Sequence, residues 1–300
     1  IQDKLKAQMT DSPTPQQLPD IDTDLLDRVE KEIQDRQFSL PALPDTAAKV
    51  SKAISNPEVT IAQVAKIVTA DPVLSGRLIQ VANSPIFQGL KRIEDLKLAI
   101  SRLGLVCVRN LVISLTVNKL FHIKSNTLIK KKLKECWANS VKVAAIAEVI
   151  ARGRWRIEPS EALLVGLLHN IGSVPLLNKL AEPKFGEVTE NTINQVLINL
   201  EPQLSKWIME HWHLRPDLAC VPVLLQDIYK PHAGPANYTD IIQIARLHAI
   251  RNTNHPYAKI KWASVPSFQK LEMTPEESME AIRQAQGEIR SVMALLDSGN

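Results

Sequence analysis

From Asp22 to the C-terminal region, apolar residues recur at intervals of three and four, beginning with Leu25, Leu26, Val29 and Ile33. This spacing predicts a string of helices and no strand. Proline and capping residues punctuate the string. Pro41 and Pro44 close the first helix, Asp45 opens a second that stops before Pro57, and Thr60 caps a third that runs to about Thr69. Asp71 followed by Pro72 is an N-cap with proline in the first helical position, starting a fourth helix that ends near Asn83, Ser84 and Pro85. Further helices fit residues 93–103, 105–121, 126–152, 159–171, 174–181, 192–200, 202–212, 216–228, 239–250 and 275–296.

The long 126–152 helix is the natural divider. Residues 22–125 then form an N-terminal helical lobe, 126–255 a second and larger lobe, and 256–300 a C-terminal extension carrying one more helix. Residues 1–21, with Pro13, Pro15 and Pro19 among polar neighbours and little apolar periodicity, read as a flexible arm.

Composition narrows the class. A hydrophobic share of 45% and a charged share of 23% over 300 residues fit a globular chain of about two units. Only 10 glycines occur and no Asn-Gly or Asp-Gly pair, so the turns of an antiparallel sheet are missing and an all-β fold is excluded. The 36 basic and 32 acidic side chains leave +4, too little for a nucleic-acid or anionic-membrane footprint. Cys107, Cys136 and Cys220 are an odd set in apolar helical settings, which points to reduced thiols and a cytoplasmic protein. Arg109 and His169 interrupt the most apolar stretches, so neither a signal peptide nor a membrane span is expected.

Two stretches carry a family resemblance: LPALPDTAAKVSKAISNPEVTIAQVAKIVTADPVLSGRLIQVANSPIF and IEDLKLAISRLGLVCVRNLVISL. They contain Leu43-Pro44, Asp71-Pro72, Asn83-Ser84 and an Ala-Ile-x-x-Leu-Gly run from Ala99 to Gly104. Downstream, ANSVKVAAIAEVIA, ALLVGLLHNIG, the Trp212 segment and IIQIARLHA follow in order. Over residues 22–255 the chain resembles the HDOD family, a signalling branch of the HD phosphohydrolase superfamily. The resemblance implies an all-α, two-lobed helical bundle with an HD-like helical core in the second lobe. Apart from any family, LLHNIG puts His169 and Asn170 at the C-terminal end of an apolar helix, with Gly172 available to terminate it.

Catalytic HD proteins combine histidines and carboxylates around one or two divalent ions, which acidify bound water. Carried over residue by residue, the resemblance puts Asn139 at the first histidine and His169-Asn170 at the His-Asp pair. It puts Gln226 or Asp227 at the later histidine and Arg246 at the last aspartate. An arginine about 4 Å from a dication is repelled by about 8 kcal/mol at an effective dielectric near 20. No metal, no cofactor and no catalytic residue are therefore expected. The expectation is a degenerate cleft of Asn139, His169, Asn170, Gln226 and Arg246, with the Arg246 guanidinium either inserted among the other four and hydrogen-bonded to them or turned to solvent.

Other candidates are weaker. His211 and His213 are two apart and diverge by about 200° on a helix, so they do not share an ion. His122, His232 and His255 lack convergent partners, and His248 belongs to the face opposite Arg246. Lys119, Lys124, Lys130, Lys131, Lys132 and Lys134 read as a solvated basic face. The helix pair between Thr60 and Asn83 resembles a helix-turn-helix presenting Arg77, Gln80 and Asn83, yet its reading helix carries one positive charge. In the last helix, Met279, Ile282, Ile289, Met293 and Leu296 make an apolar seam for packing on the body, against the Leu25–Ile33 helix, or for a homodimer. The functional expectation is a non-catalytic HDOD-type signal-transduction module. It acts through contacts with a signalling protein partner and by binding a small ligand in the cleft, without nucleic acid or membrane. The alternatives are a metal-dependent phosphohydrolase and a DNA-binding regulator.

Overall fold

The computed structural model describes residues 23–34, 38–84, 91–122, 127–251, 253 and 256–297. The arm over 1–21 and His255 lie outside the described residues. Every regular element among those described is helical. In chain order the α-helices are α1 (Thr23–Gln34), α2 (Asp45–Ile54), α3 (Ile61–Thr69), α4 (Pro72–Ala82), α5 (Leu96–Leu103), α6 (Leu105–Thr116), α7 (Thr127–Ala151) and α8 (Pro159–Leu168). They are followed by α9 (Ser173–Leu180), α10 (Glu190–His211), α11 (Pro216–Ala219), α12 (Val221–Leu224) and α13 (Tyr238–Ile250). The last are α14 (Pro266–Lys270), α15 (Pro275–Gln284) and α16 (Gln286–Asp297).

The caps act as the sequence indicates. Thr60 Oγ1 accepts from the Gln63 amide at 3.3 Å while Gln63 Oε1 accepts from the Thr60 amide at 2.8 Å, a reciprocal box that satisfies two orphan donors. Asp71 Oδ1 accepts from the Leu74 amide at 3.0 Å. Several boundaries differ from the spacing. Pro202 does not divide a helix, since α10 runs through it and gives up only the one amide bond proline cannot make. The 216–228 helix is two short turns, α11 and α12. The 275–296 helix breaks at Ala285 into α15 and α16.

The core centres on α7, whose buried residues run from Ile129 to Ala151 and which is flanked by α8, α13 and α16. Gly166 lets α7 and α8 close up, because a Cβ there would lie 2.7 Å from Ala144 Cα. Pro159–Leu180 has the length and apolarity of a membrane span, but its apolar window is wholly buried, as expected of core helices.

Both ends of the chain pack differently from the expectation. The last helix lies along α7 and not on the Leu25–Ile33 helix: Trp137 Nε1 donates to Asp297 Oδ1 at 2.7 Å, Arg152 pairs with Glu288, and Ile289 and Leu296 are buried. Its apolar residues thus have partners within the chain. Helix α1 lies beside α10, with Glu32 paired to Lys179 and Lys184, each at 2.6 Å. Apolar spacing shows that a helix has a face to bury; it carries no address for that face.

One polar node joins α6, α8, α13 and the residue before α11. Buried Glu161 of α8 takes Tyr238 Oη at 2.5 Å and Arg215 Nη1 at 3.1 Å, with Arg109 of α6 at 3.8 Å.

Candidate functional site

The candidate cleft lies where the end of α8, the middle of α7, α10 and α13 meet. The α8 helix stops at Leu168, and His169 and Asn170 follow it, both buried. Gly172 is not the left-handed terminator expected of it: its φ is −60°. Glycine is needed there for closeness, since a Cβ would meet the Glu201 carbonyl at 2.5 Å and the Ser205 amide at 2.8 Å. The Gly172 amide donates to Ser205 Oγ at 2.9 Å and fastens this corner to α10.

His169 Nδ1 is 2.7 Å from the Gly166 carbonyl. A carbonyl only accepts, so Nδ1 carries the proton and Nε2 keeps its lone pair. Burial, assisted by the nearby Arg246 cation, pushes the His169 pKa down to about 3, so the ring is neutral at pH 7.

Asn170 turns away from the cleft and ties α8 to α7. Its Oδ1 lies 2.5 Å from Ser140 Oγ, and its Nδ2 donates to the Cys136 carbonyl at 3.2 Å. Ser140 Oγ is also 2.9 Å from that carbonyl, but a hydroxyl has one proton, and the shorter contact to Asn170 claims it.

Arg246 enters the cleft from α13. Once inserted, its guanidinium was expected to bond Asn139, His169, Asn170 and Gln226; among the described residues its hydrogen bond goes instead to the Leu225 carbonyl, at a long 3.4 Å. It shares a cavity of about 180 Å³ with half-buried Asn139, against Leu225, Ile228, Leu247 and Ile250. Gln226 is exposed and is not brought to this cavity; its neighbours Leu225 and Ile228 form the wall. The reason is that α11 and α12 are short turns, so the register of one continuous helix does not hold at Gln226.

Sequence reasoning missed Glu201. Its carboxyl is close enough to Arg246 to feel its charge, but no ion pair within 4.0 Å joins them among the described residues. Burial lifts the Glu201 pKa to about 8 against the pull of Arg246 and Lys132. Burial likewise lowers that of Arg246, with Glu201 opposing. Glu201 precedes Pro202 in what reads as a linker, so only the continuity of α10 could have drawn attention to it.

These residues do not fit a divalent ion. Asn170 has spent both amide atoms on α7, the Arg246 cation is near enough to oppose a charge on His169, and among the described residues no three of His, Cys, Asp and Glu are grouped to hold a metal. The Cys107 and Cys136 thiols are pushed to about 12 by burial, which suits core packing and not nucleophilic chemistry.

The other sequence candidates take structural places. His211 and His213 are exposed on either side of buried Trp212, whose Nε1 donates to the Pro41 carbonyl at 2.9 Å. His248 is buried against Ser278 Oγ at 3.0 Å. His232, expected to lack partners, has Nε2 at 2.8 Å from buried Asp240, a contact made by a loop that periodicity does not register. Lys131 and Lys132 pair with Glu135 on an otherwise exposed basic face. Asn83, a would-be base contact, holds the backbone of Ile93 at 2.6 and 2.8 Å.

Comparison with known proteins agrees with this fold. The HDOD domain model matches residues 40–227. The structure is similar to that of a provisionally named metal-dependent phosphohydrolase from Shewanella amazonensis SB2B, with TM-score 0.76 and 22% identity over 92% of this chain and 99% of that one. It is also similar to an HDOD domain protein of unknown function from Geobacter sulfurreducens, with TM-score 0.65 and 20% identity over 93% and 99%. At these identities the likeness speaks for the fold. A Treponema pallidum protein is 27% identical over 143 residues, a match that spans 47% of this chain and 27% of that relative. With the family match covering well over half its length, the chain belongs to the HDOD domain family.

Proposed function

We propose that the chain is a non-catalytic signal-transduction module that works through contacts with a signalling protein and carries a small-ligand site in its cleft. The observation that supports this most directly is the Arg246 guanidinium, which lines the same cavity as Asn139 and lies close enough to His169 to oppose its protonation. A cation there opposes a dication by about 8 kcal/mol at 4 Å, and Asn170, committed to Ser140 and Cys136, supplies no compensating charge. What remains is a shaped, partly polar pocket between rigid helices, suited to recognition.

The rival is a metal-dependent phosphohydrolase, the activity in the name of the Shewanella relative. Metal analysis of the purified protein, with phosphomonoester and phosphodiester assays in added Mn²⁺ and Mg²⁺, separates the two. No stoichiometric metal and no turnover are expected. Bound metal together with turnover that His169→Ala abolishes would reverse the assignment.

A further inference from the structure

Arg246 presents up to five N–H donors, and the one hydrogen bond it makes among the described residues is long, at 3.4 Å. No carboxylate pairs with it within 4.0 Å among those residues, and the only histidine near it is neutral. A half-buried cation left in this condition is costly, and an anion brought into the cavity would offset that cost. The surroundings favour such a guest. The Gln243 amide oxygen on the cavity wall is turned to Ser267 Oγ at 2.5 Å and among the described residues takes no bond from the guanidinium, while Asn139 adds an amide on the facing helix.

Tyr257 adds a phenol to the wall, Leu225, Ile228, Leu247 and Ile250 make its apolar half, and the volume of about 180 Å³ is comparable with the roughly 150 Å³ that accommodates one benzene ring. Inorganic phosphate would leave that apolar half empty. A neutral ring would leave the guanidinium unpaired.

We propose that this cavity binds a small organic carboxylate, its charged head on Arg246 and Asn139 and its apolar body on Leu225, Ile228, Leu247 and Ile250. The proposal rests on the reading of the protein as a binding module and gives its ligand site a chemical class. The carboxylate takes the place a dication occupies in catalytic relatives, with the local charge reversed.

The test is titration calorimetry on the full chain at pH 7 in EDTA, with three probes: benzoate, benzyl alcohol and inorganic phosphate. Benzoate is expected to bind at least about tenfold more tightly than either of the others. Arg246→Gln is expected to abolish that preference. Asn139→Asp keeps Arg246 in place and sets a carboxylate on the same wall, so it is expected to weaken benzoate by at least about tenfold. The melting temperature of each variant identifies loss of fold. Equal affinity for benzoate and benzyl alcohol, phosphate binding as tight as benzoate, benzoate binding that survives both substitutions, or no benzoate binding up to about 10 mM would each overturn the proposal. The metal and turnover assays are read separately: a failure of benzoate with no turnover removes only the ligand class, whereas turnover removes the regulatory reading itself.

Discussion

The Asn170 side-chain oxygen lies 2.5 Å from the Ser140 hydroxyl, so the residue that follows His169 serves as a clamp between the end of α8 and α7. The amide suits the task because it both accepts and donates: oxygen toward Ser140, nitrogen toward the Cys136 carbonyl. A carboxylate can only accept.

Asn170→Asp therefore sets a carboxylate oxygen against the Cys136 carbonyl, two acceptors facing each other in the core in place of a donor–acceptor pair. The expected cost is about 1–3 kcal/mol in urea unfolding, with no Mn²⁺ binding gained. A variant as stable as the parent, or one that takes up Mn²⁺, would contradict the clamp.

Stability should pass through a maximum near pH 6.5. His169 and His248 have native pKa values held down to about 3 and about 4 by burial. Below their ordinary value of about 6.5 the unfolded chain binds protons that the native state refuses, and stability falls as pH falls. Glu201 is raised to about 8, so above its ordinary range the unfolded chain releases a proton that the native state keeps, and stability falls as pH rises toward 8. Each unmatched proton tilts the curve by about 1.4 kcal/mol per pH unit. Glu201→Gln should remove the decline between pH 6.5 and 8 and steepen the rise from about pH 4.5 to 6.5, where Glu201 opposes the histidines, measured by chemical denaturation across pH. An alkaline limb unaltered by the substitution would disprove the role of Glu201.

Gly172→Ala should destabilise the chain by several kcal/mol, because its Cβ would stand 2.5 Å from the Glu201 carbonyl and 2.8 Å from the Ser205 amide, and backbone cannot move as a side chain can. Gly76→Ala is the internal control. A Cβ there meets nothing within 4 Å in the middle of α4, and a gain of about 0.5–1 kcal/mol is expected. Melting temperatures moving in the same direction for both variants would contradict this account.

Glu161→Ala removes the carboxylate that Arg109, Arg215 and Tyr238 share, and should cost about 3–5 kcal/mol. Arg215→Ala should cost much less, because half of that side chain is exposed and two partners remain for Glu161. Denaturant midpoints decide, and equal losses would show that the node is not centred on Glu161.

The helical string, its caps at Thr60 and Asp71, and the candidate cleft positions Asn139, His169, Asn170 and Arg246 were legible in the chain, because periodicity, capping and side-chain chemistry are local properties. Three things were not. Pro202 concealed the length of α10 and with it Glu201, since a lone proline reads as a break unless the surrounding packing outweighs one lost amide bond. The exposure of Gln226 depended on α11 and α12 being separate turns. The seat of the last helix on α7 depended on which apolar face had room for it.

The residues by themselves determined that the chain would be helical and that Asn139, Asn170 and Arg246 bring amides and a cation where carboxylates would be needed to hold a dication, because the kind of donor group does not change on folding. Tertiary structure decided what each survivor does. It drew Asn170 into the wall and left Arg246 facing a cavity, since only the approach of α7, α10 and α13 fixes which polar groups find partners and which are left facing open space.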